Sequence, residues 1–226
     1  MTSKAGLKYY AALKDRKART ETGLFMVEGH KVIGEGLKSR CDCEAIFVRK
    51  GFEGRDAATE EMLDSSLVQV LDEESYSKLT RTENPQGIVG VFNYRPLLTE
   101  HLEADKVVVL FDIADPRNVG TIIRCGDWFG MRHFLVGEGC VDIFNEKVVR
   151  STTGSIFHCR FLLSEKLVDD LAELRQTHRI HTADLGGTDY RTLPKAERSA
   201  WVFSNEARGP SDAILALTDQ VITIPG

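Results

Sequence analysis

The segment that decides the fold of this chain reads Asp115-Pro116-Arg117-Asn118-Val119-Gly120-Thr121-Ile122-Ile123-Arg124. It follows an apolar, strand-like run over residues 106–111 and opens a predicted helix over 119–129. A polar loop that contains glycine and joins a strand to a helix is where open α/β sheets bind their ligands. Asn118 and Arg124 are six positions apart, so the pattern puts Asn118 at the mouth of the helix and Arg124 about a turn and a half inside.

Two further polar loops follow apolar runs later in the chain. Trp201-Val202-Phe203 leads into Ser204-Asn205-Glu206-Ala207-Arg208-Gly209, and the run 221–224 leads into Pro225. These runs are short and uniformly apolar rather than alternating, which is typical of parallel strands that are covered on both faces. Because parallel strands end at the same edge of a sheet, we expect all three loops to lie at one edge.

The order of elements predicts two α/β domains. Residues 1–96 form the first, residues 97–105 are a short polar linker, and residues 106–226 form the second, with a mostly parallel sheet. In the first domain we predict a loose helical stripe over 7–18, a helix over 30–37 and strands over 24–27, 45–48, 67–71 and 87–92. In the second we predict helices over 119–129, 145–157 and 167–175 and strands over 107–111, 134–136, 180–183, 201–203 and 221–224.

Composition excludes several classes of protein. At 226 residues and 42% hydrophobic content, the chain can hold one large or two modest cores. It has no apolar run near the ~20 residues that span a bilayer, and its amino terminus has no apolar signal core. The five cysteines lack CxxC spacing and the histidines lack ligand spacing. We therefore predict a cytoplasmic protein with reduced thiols, no membrane segment and no metal.

The charge distribution points to a nucleic-acid partner more than the total charge does. The net charge is -5, yet residues 1–40 carry nine Lys and Arg against four acids. A basic face on an acidic protein can still meet phosphates. The candidate phosphate contacts in this segment are Lys14, Arg16, Lys17 and Arg19, which become candidate RNA contacts only with the motifs described next. The alternative, an ordinary solvated helix, stays open on these grounds alone.

Taken together, the motifs D-P-x-N-x-G-x-x-x-R, N-E-x-x-G and I-P resemble those of the SpoU (TrmH-type) RNA 2'-O-ribose methyltransferases of the SPOUT class. Residues 3–37 resemble the amino-terminal domain of one branch, which carries a ribosomal-protein-like RNA-binding domain. Residues 85–88, and 145–150 leading to Gly154, also fit. There are two departures. Ser204 stands where the family usually has glycine, and the third motif should continue past Pro225 into a Ser-Leu-Asn segment and a helix. We therefore expect about 20–35 further encoded residues, a length typical of a short linker and one helix.

The resemblance implies S-adenosylmethionine as methyl donor and structured RNA as acceptor, with ribosomal RNA favoured over transfer RNA. It also implies a deep trefoil knot in the second domain and a homodimer. The donor would lie against backbone groups of three segments. The donor-binding residues implied are Ala183, Asp184, Leu185, Gly186, Ser204, Asn205, Glu206, Gly209, Ile222, Ile224 and Pro225. Gly187 belongs to the same loop, and a backbone without Cβ can approach a ligand closely.

The catalytic residues that the resemblance implies are Arg124, Asn118 and Glu206, with Arg117 as a further RNA contact. A guanidinium has a pKa above about 12, so Arg124 is expected to stabilise the developing oxyanion rather than to accept its proton. Asn118 would orient Arg124 or the ribose. Glu206 would pin Arg124 or Arg208, or complement the positive charge of the donor.

Two other functions remain as alternatives. One is a catalytically silent RNA-binding protein of the same fold. The other is a Rossmann-type oxidoreductase, which Gly137-Glu138-Gly139 after a strand supports only weakly, because the third glycine of the dinucleotide fingerprint is missing.

Overall fold

The computed structural model describes residues 4–53, 63 and 66–225. The chain divides into two compact units, one of residues 1–97 with 144–158 and one of residues 98–143 with 159–226. The main division falls at the predicted linker. Residues 144–158, however, pack with the amino-terminal unit, although they follow the linker in sequence and were assigned to the second domain. The binding roles given to the two domains stay predictions.

The amino-terminal unit contains a mixed sheet of four strands in the order β1-β4-β2-β3. β4 runs antiparallel to both β1 and β2, while β3 runs parallel to β2. All four strands were predicted, and the structure confirms them. They are Leu24–Glu28 (β1), Cys43–Arg49 (β2), Val68–Leu71 (β3) and Ile88–Asn93 (β4).

Helices cover this sheet. The predicted helix at residue 30 is confirmed. The segment predicted as one loose helical stripe over 7–18 is interrupted, because Asp15 has an extended backbone with ψ 136° between two helical segments. The predicted helix over 145–157 ends early, since Thr153 and Gly154 both have positive φ. The α-helices are Lys4–Ala11, Arg16–Thr22, His30–Lys38, Glu73–Ser77 and Glu146–Thr152, with 3-10 turns at Ala12–Lys14, Arg95–Leu97 and Ser155–His158.

The carboxyl-terminal unit is built on a fully parallel sheet of six strands in the order β10-β8-β9-β5-β6-β7. This confirms the predicted α/β class and the mostly parallel sheet. The strand at 160–163 was not predicted. The strands are Lys106–Leu110 (β5), His133–Val136 (β6), Arg160–Leu163 (β7), Arg179–Asp189 (β8), Ser199–Phe203 (β9) and Gln220–Thr223 (β10).

Three α-helices and a short 3-10 turn accompany this sheet. They are Pro116–Trp128, Leu167–Arg175 and Asp212–Leu217, with the 3-10 turn at Tyr190–Thr192. On one face, Val107, Val109 and Val202 form a core with Leu171 and Ile214 of the second and third helices. That core fixes the positions of the strand ends. In the part of the chain that the structure describes, no helix is long and apolar enough to cross a bilayer.

Candidate active site at the carboxyl edge of the parallel sheet

The three polar loops share one edge of the six-stranded sheet. β5, β9 and β10 run parallel within it, so residues 111–115, 204–209 and 224–225 all follow carboxyl strand ends. The predicted common edge is therefore confirmed. It is the edge at which parallel α/β sheets bind ligands.

The helix after β5 begins as its sequence predicts. Asp115 is the N-cap and its side chain accepts a hydrogen bond from the Arg117 amide at 2.7 Å, while Pro116 occupies the first turn. Val119 and Ile123 are buried on one face of this helix, while Arg117, Asn118, Thr121 and Arg124 are exposed.

Asn118 and Arg124 are both exposed on this helix. Six residues correspond to about 9 Å along the axis and about 120° around it, so the two side chains leave the helix in different directions. Arg117, seven residues before Arg124, lies on nearly the same line and is also exposed. The two arginines, rather than Asn118 and Arg124, therefore form the aligned pair on this face.

The loop after β9 is folded around one amide side chain. The Oδ1 atom of Asn205 accepts hydrogen bonds from the amides of Ala207 at 2.9 Å and Arg208 at 3.1 Å. The amide of Gly209, at φ 68°, donates to the carbonyl of Asn205 at 2.8 Å. Asn205 thus shapes the loop from inside. Ser204 is outside the left-handed region of φ, so serine meets no backbone strain there.

The partner of Arg208 differs from the prediction. Arg208 Nη2 lies 2.7 Å from Asp112 Oδ2, and Asn205 Nδ2 donates to the carbonyl of Asp112 at 3.0 Å. Of the three roles expected for Glu206, the pairing with Arg208 is made by Asp112 instead. The side chain of Glu206 is exposed, and its expected roles toward Arg124 or the positive charge of the donor stay predictions. Asp112, at φ 56°, was missed in the sequence. The available signal was an acidic residue directly after a buried strand.

A bulge in β8 forms the neighbouring wall. Thr182 pairs with Val221 and Thr188 with Ile222, so residues 183–187 leave the ladder between consecutive residues of β10. A Cβ built on Gly209 would lie 3.8 Å from Asp184 Oδ1, which puts the bulge beside the loop after β9. The Leu185 side chain is 95% exposed, an apolar surface that a ligand could cover.

The remaining predicted donor-binding positions divide by exposure. Asp184, Gly186, Ile224 and Pro225 are exposed, and Ala183 is half-buried. Ile222 is buried in the core, so only its backbone is available to a ligand. Gly187 was expected to face the donor, yet a Cβ there would lie 2.6 Å from the N and Cα atoms of Ile222. Close packing of two chain segments therefore requires this glycine.

The basic residues of the amino-terminal unit that were predicted to contact RNA differ in their exposure to solvent. Arg16 and Lys17 are exposed. Lys14 donates to the carbonyl of Thr80 at 3.3 Å, and partial burial together with the nearby Arg81 lowers its pKa. Arg19 is only 4% exposed, and its Nη1 donates to the Leu13 carbonyl at 2.7 Å. Arg19 therefore stabilises the turn between two helices and is not available to a phosphate.

No group of histidine, cysteine, aspartate or glutamate residues that could hold a metal ion occurs among the described residues. The site consists instead of backbone groups, the carboxylates of Asp112, Asp184 and Glu206, the amides of Asn118 and Asn205, and arginines. Such a set suits a polar organic ligand and a phosphate-containing one.

Comparison with known proteins agrees with this arrangement. The model of the SpoU rRNA methylase family matches residues 105–226, and that of the MRM3-like substrate-binding domain matches residues 4–90. The 23S rRNA (guanosine(2553)-2'-O)-methyltransferase RlmP of Bacillus subtilis (strain 168) is 31% identical over 223 residues, which are 97% of this chain and 86% of that protein.

Solved structures give the same result. A protein of Porphyromonas gingivalis assigned to the TrmH family of RNA methyltransferases matches with a TM-score of 0.86 at 30% identity, covering 100% of this chain and 90% of that one. An AdoMet-bound rRNA methyltransferase from Sinorhizobium meliloti matches with a TM-score of 0.81 at 26% identity, covering 100% and 88%.

These matches define the class as S-adenosylmethionine-dependent RNA methyltransferases. The chain belongs to the SpoU rRNA methylase family. The predicted family, enzyme class and donor are thereby confirmed.

Proposed function

We propose that this chain transfers a methyl group from S-adenosylmethionine to a ribose 2'-hydroxyl of structured RNA, with ribosomal RNA favoured over transfer RNA. The observation that carries the proposal is the gathering of the three motif loops at one edge of the parallel sheet. Relatives whose names specify rRNA 2'-O-methylation or rRNA methyltransferase activity support the choice of substrate.

The donor site in this proposal consists of the bulge 183–186, the loop 204–209 and residues 222–225. The fit rests on backbone groups, because residues 183–187 are outside the β8–β10 ladder and the Leu185 amide there bonds only within the bulge, to Asp184 Oδ1. The exposed Leu185 adds apolar surface, and Gly186 has open space where a Cβ would stand. When bound, S-adenosylmethionine supplies a methyl group on a sulfonium that an oxygen nucleophile attacks in line.

Arg124 is the proposed catalytic residue. A ribose hydroxyl ionises far above neutral pH, so negative charge must be stabilised as it develops. A guanidinium stays protonated and presents several donors in a fixed plane, which suits an oxyanion and its neighbouring phosphate. Electrostatic stabilisation of this kind is commonly the largest single contribution to catalysis. The alignment of Arg117 with Arg124 supports a role for Arg117 in holding the RNA backbone.

Asn118 and Glu206 complete the proposed set. Asn118 is exposed at the third position of its helix, where its amide is available to orient the ribose. Because Arg208 is paired with Asp112, Glu206 is free of that task. Its exposed carboxylate is then available to complement the positive charge of the donor.

RNA binding by the amino-terminal unit forms the next part of the proposal. The exposed Arg16 and Lys17 and the half-buried Lys14 supply phosphate contacts, whereas Arg19 is excluded by its burial. The match to a substrate-binding domain over residues 4–90 supports this assignment. The location that we propose for this activity is the cytoplasm.

A homodimer and the trefoil knot of the family belong to the same proposal. The dimer is supported by two large apolar side chains at the end of the Pro116–Trp128 helix, Trp128 and Phe129, which are 84% and 77% exposed. Contiguous apolar surface of this kind is characteristic of an interaction site. Sedimentation of the wild type should show a dimer, and a Trp128→Asp variant should shift it to monomer.

Donor titration by calorimetry tests the proposal against a catalytically silent RNA-binding protein. We expect micromolar binding of S-adenosylmethionine to the full-length protein. RNA binding without any donor binding would favour the silent protein. Binding of a nicotinamide cofactor instead would favour the oxidoreductase.

A further inference from the structure

Asp112 forms hydrogen bonds with the loops that follow two other strands of the parallel sheet. It lies two residues after the end of β5, and its backbone lies in the left-handed region at φ 56°. Aspartate is one of the few residues with a side chain that tolerates this conformation. Its amide donates to the carbonyl of Glu138, after β6, at 3.1 Å, while its own carbonyl accepts from Asn205, after β9. Asp112 therefore links three loops: it lies in the loop after β5, its amide donates to the loop after β6, and its carbonyl accepts from the loop after β9.

The carboxylate of Asp112 is held from two sides. Oδ2 lies 2.7 Å from Arg208 Nη2. Oδ1 lies against Gly139, at φ 76°, where any Cβ would collide with it. The Asp112 side chain is 21% exposed, so it is the more buried partner of an ion pair in which Arg208 is 69% exposed. The carboxylate is thus fixed by its surroundings, and Arg208 adapts to it.

The loop after β9 depends on this residue for its attachment to the sheet. Its other hydrogen bonds are internal, from Ala207, Arg208 and Gly209 to Asn205. In the described part of the chain, both the hydrogen bond and the ion pair that leave residues 205–209 end on Asp112.

We propose that Asp112 is a positioning residue that holds the loop 204–209 in the shape that binds the methyl donor, acting through Arg208 and Asn205. The inference rests on the proposed donor site. Asp112 itself does not touch the donor in this account. Its effect is preorganisation, since a loop already in its bound shape loses less conformational freedom on binding.

A double-mutant cycle on donor affinity measures this linkage. We expect Asp112→Ala and Arg208→Ala each to weaken donor binding about tenfold. The double variant should also weaken it about tenfold rather than a hundredfold, because both substitutions remove the same ion pair. Asp112→Asn should weaken donor binding less than Asp112→Ala, because asparagine also tolerates positive φ and its amide oxygen can still accept a hydrogen bond from Arg208.

Arg175→Ala is the matched control. Arg175 forms a similar ion pair with Asp219 at 3.0 Å, next to the amino end of β10 and so at the opposite edge of the sheet. Its loss should leave donor affinity unchanged. A merely structural role for Asp112 would lower thermal stability in the same way as Arg175→Ala and leave donor affinity at the wild-type value.

Amide hydrogen exchange in the donor-free protein separates this inference from the proposed function. We expect the Gly209 amide to exchange faster in Asp112→Ala and Arg208→Ala than in the wild type. Unchanged exchange together with unchanged donor affinity would overturn the inference alone. A wild type that binds no donor would overturn the proposed function and the donor-binding part of this inference, while the exchange rates still decide whether Asp112 holds the loop.

Discussion

The loop after β9 and the bulge in β8 lie side by side at one edge of the parallel sheet but are built in opposite ways. The loop is closed by three hydrogen bonds to Asn205 and attached to Asp112. The bulge leaves its ladder for five residues and exposes Leu185 almost completely. A ligand between them would meet one wall that is held by internal hydrogen bonds and one whose backbone leaves the strand ladder and whose Leu185 is exposed. The shape of the site and its exposed apolar surface are therefore supplied by different segments.

The largest effect is expected at Arg124, which belongs to neither wall. If it stabilises charge that appears only in the transition state, Arg124→Ala should lower kcat by about a hundred- to a thousandfold and leave donor affinity unchanged. Arg124→Lys should restore part of the rate, because it supplies charge without the planar guanidinium. The measurement is single-turnover methyl transfer with donor calorimetry alongside. A stable Ala variant with near wild-type kcat would remove Arg124 from the mechanism.

A pair of adjacent glycines sharpens the account of the bulge. A Cβ on Gly187 meets the Ile222 backbone, so Gly187→Ala should lower the free energy of unfolding by about 1–3 kcal/mol. Gly186 has nothing within 4 Å of its Cβ position, so Gly186→Ala should keep its stability. If the bulge approaches the donor, Gly186→Ala should nevertheless weaken donor binding. Urea unfolding and calorimetry distinguish the two, and equal behaviour of both variants would contradict this assignment.

The amino-terminal unit also contains a basic residue that is buried, Arg19, close to exposed ones, Arg16 and Lys17. Replacing the exposed Arg16 and Lys17 with Ala should flatten the salt dependence of RNA binding by about 0.7 log–log units per lost contact with single-stranded RNA. Arg19→Ala should leave that slope unchanged but cost about 1–3 kcal/mol of stability, because the Leu13 carbonyl loses its donor. Filter binding over a salt series checks both. A flatter slope for Arg19→Ala alone would show that its burial does not persist in solution.

The smallest effect concerns His181 in β8, which is buried and packs against Trp201 with ring centroids 4.7 Å apart and ring planes tilted by 31°. Burial, and secondarily Arg179, lower its pKa. The unfolded chain therefore binds a proton below about pH 6.5 that the folded chain resists, so stability is full above that pH and declines as pH falls. His181→Phe should flatten this decline in urea unfolding between pH 7.5 and 5.5. Identical pH profiles would exclude His181 as its source.

Most elements with clear patterns were predictable. Short apolar runs predicted nine of the ten strands in the described residues, because strands buried in either sheet are marked by such runs. β7 at Arg160–Leu163 was missed, although Phe161-Leu162-Leu163 is a short apolar run. The helix Asp212–Leu217 was not predicted, and it is shorter than most helices. The Ser211 side chain, which accepts a hydrogen bond from the Ile214 amide, was an available signal for its start.

The site was predictable to the level of loops but not of partners. Strand order and parallel direction put the motifs at one edge whatever their side chains do. The ion pair of Arg208 depends on where Asp112 points, which a positive φ decides and a sequence pattern does not show. Likewise, a count of basic residues could not separate the buried Arg19 from its exposed neighbours.

The central claim is that this chain methylates ribose 2'-oxygens of RNA, and product analysis tests it most directly. Purified protein would be incubated with ribosomal RNA from cells lacking the gene and isotope-labelled S-adenosylmethionine, and the digested nucleosides would be separated by mass spectrometry. We predict label in a 2'-O-methylated nucleoside, with the Arg124→Ala variant giving far less of the same product. Label on a base, or no label from a wild type that binds both RNA and donor, would contradict the account.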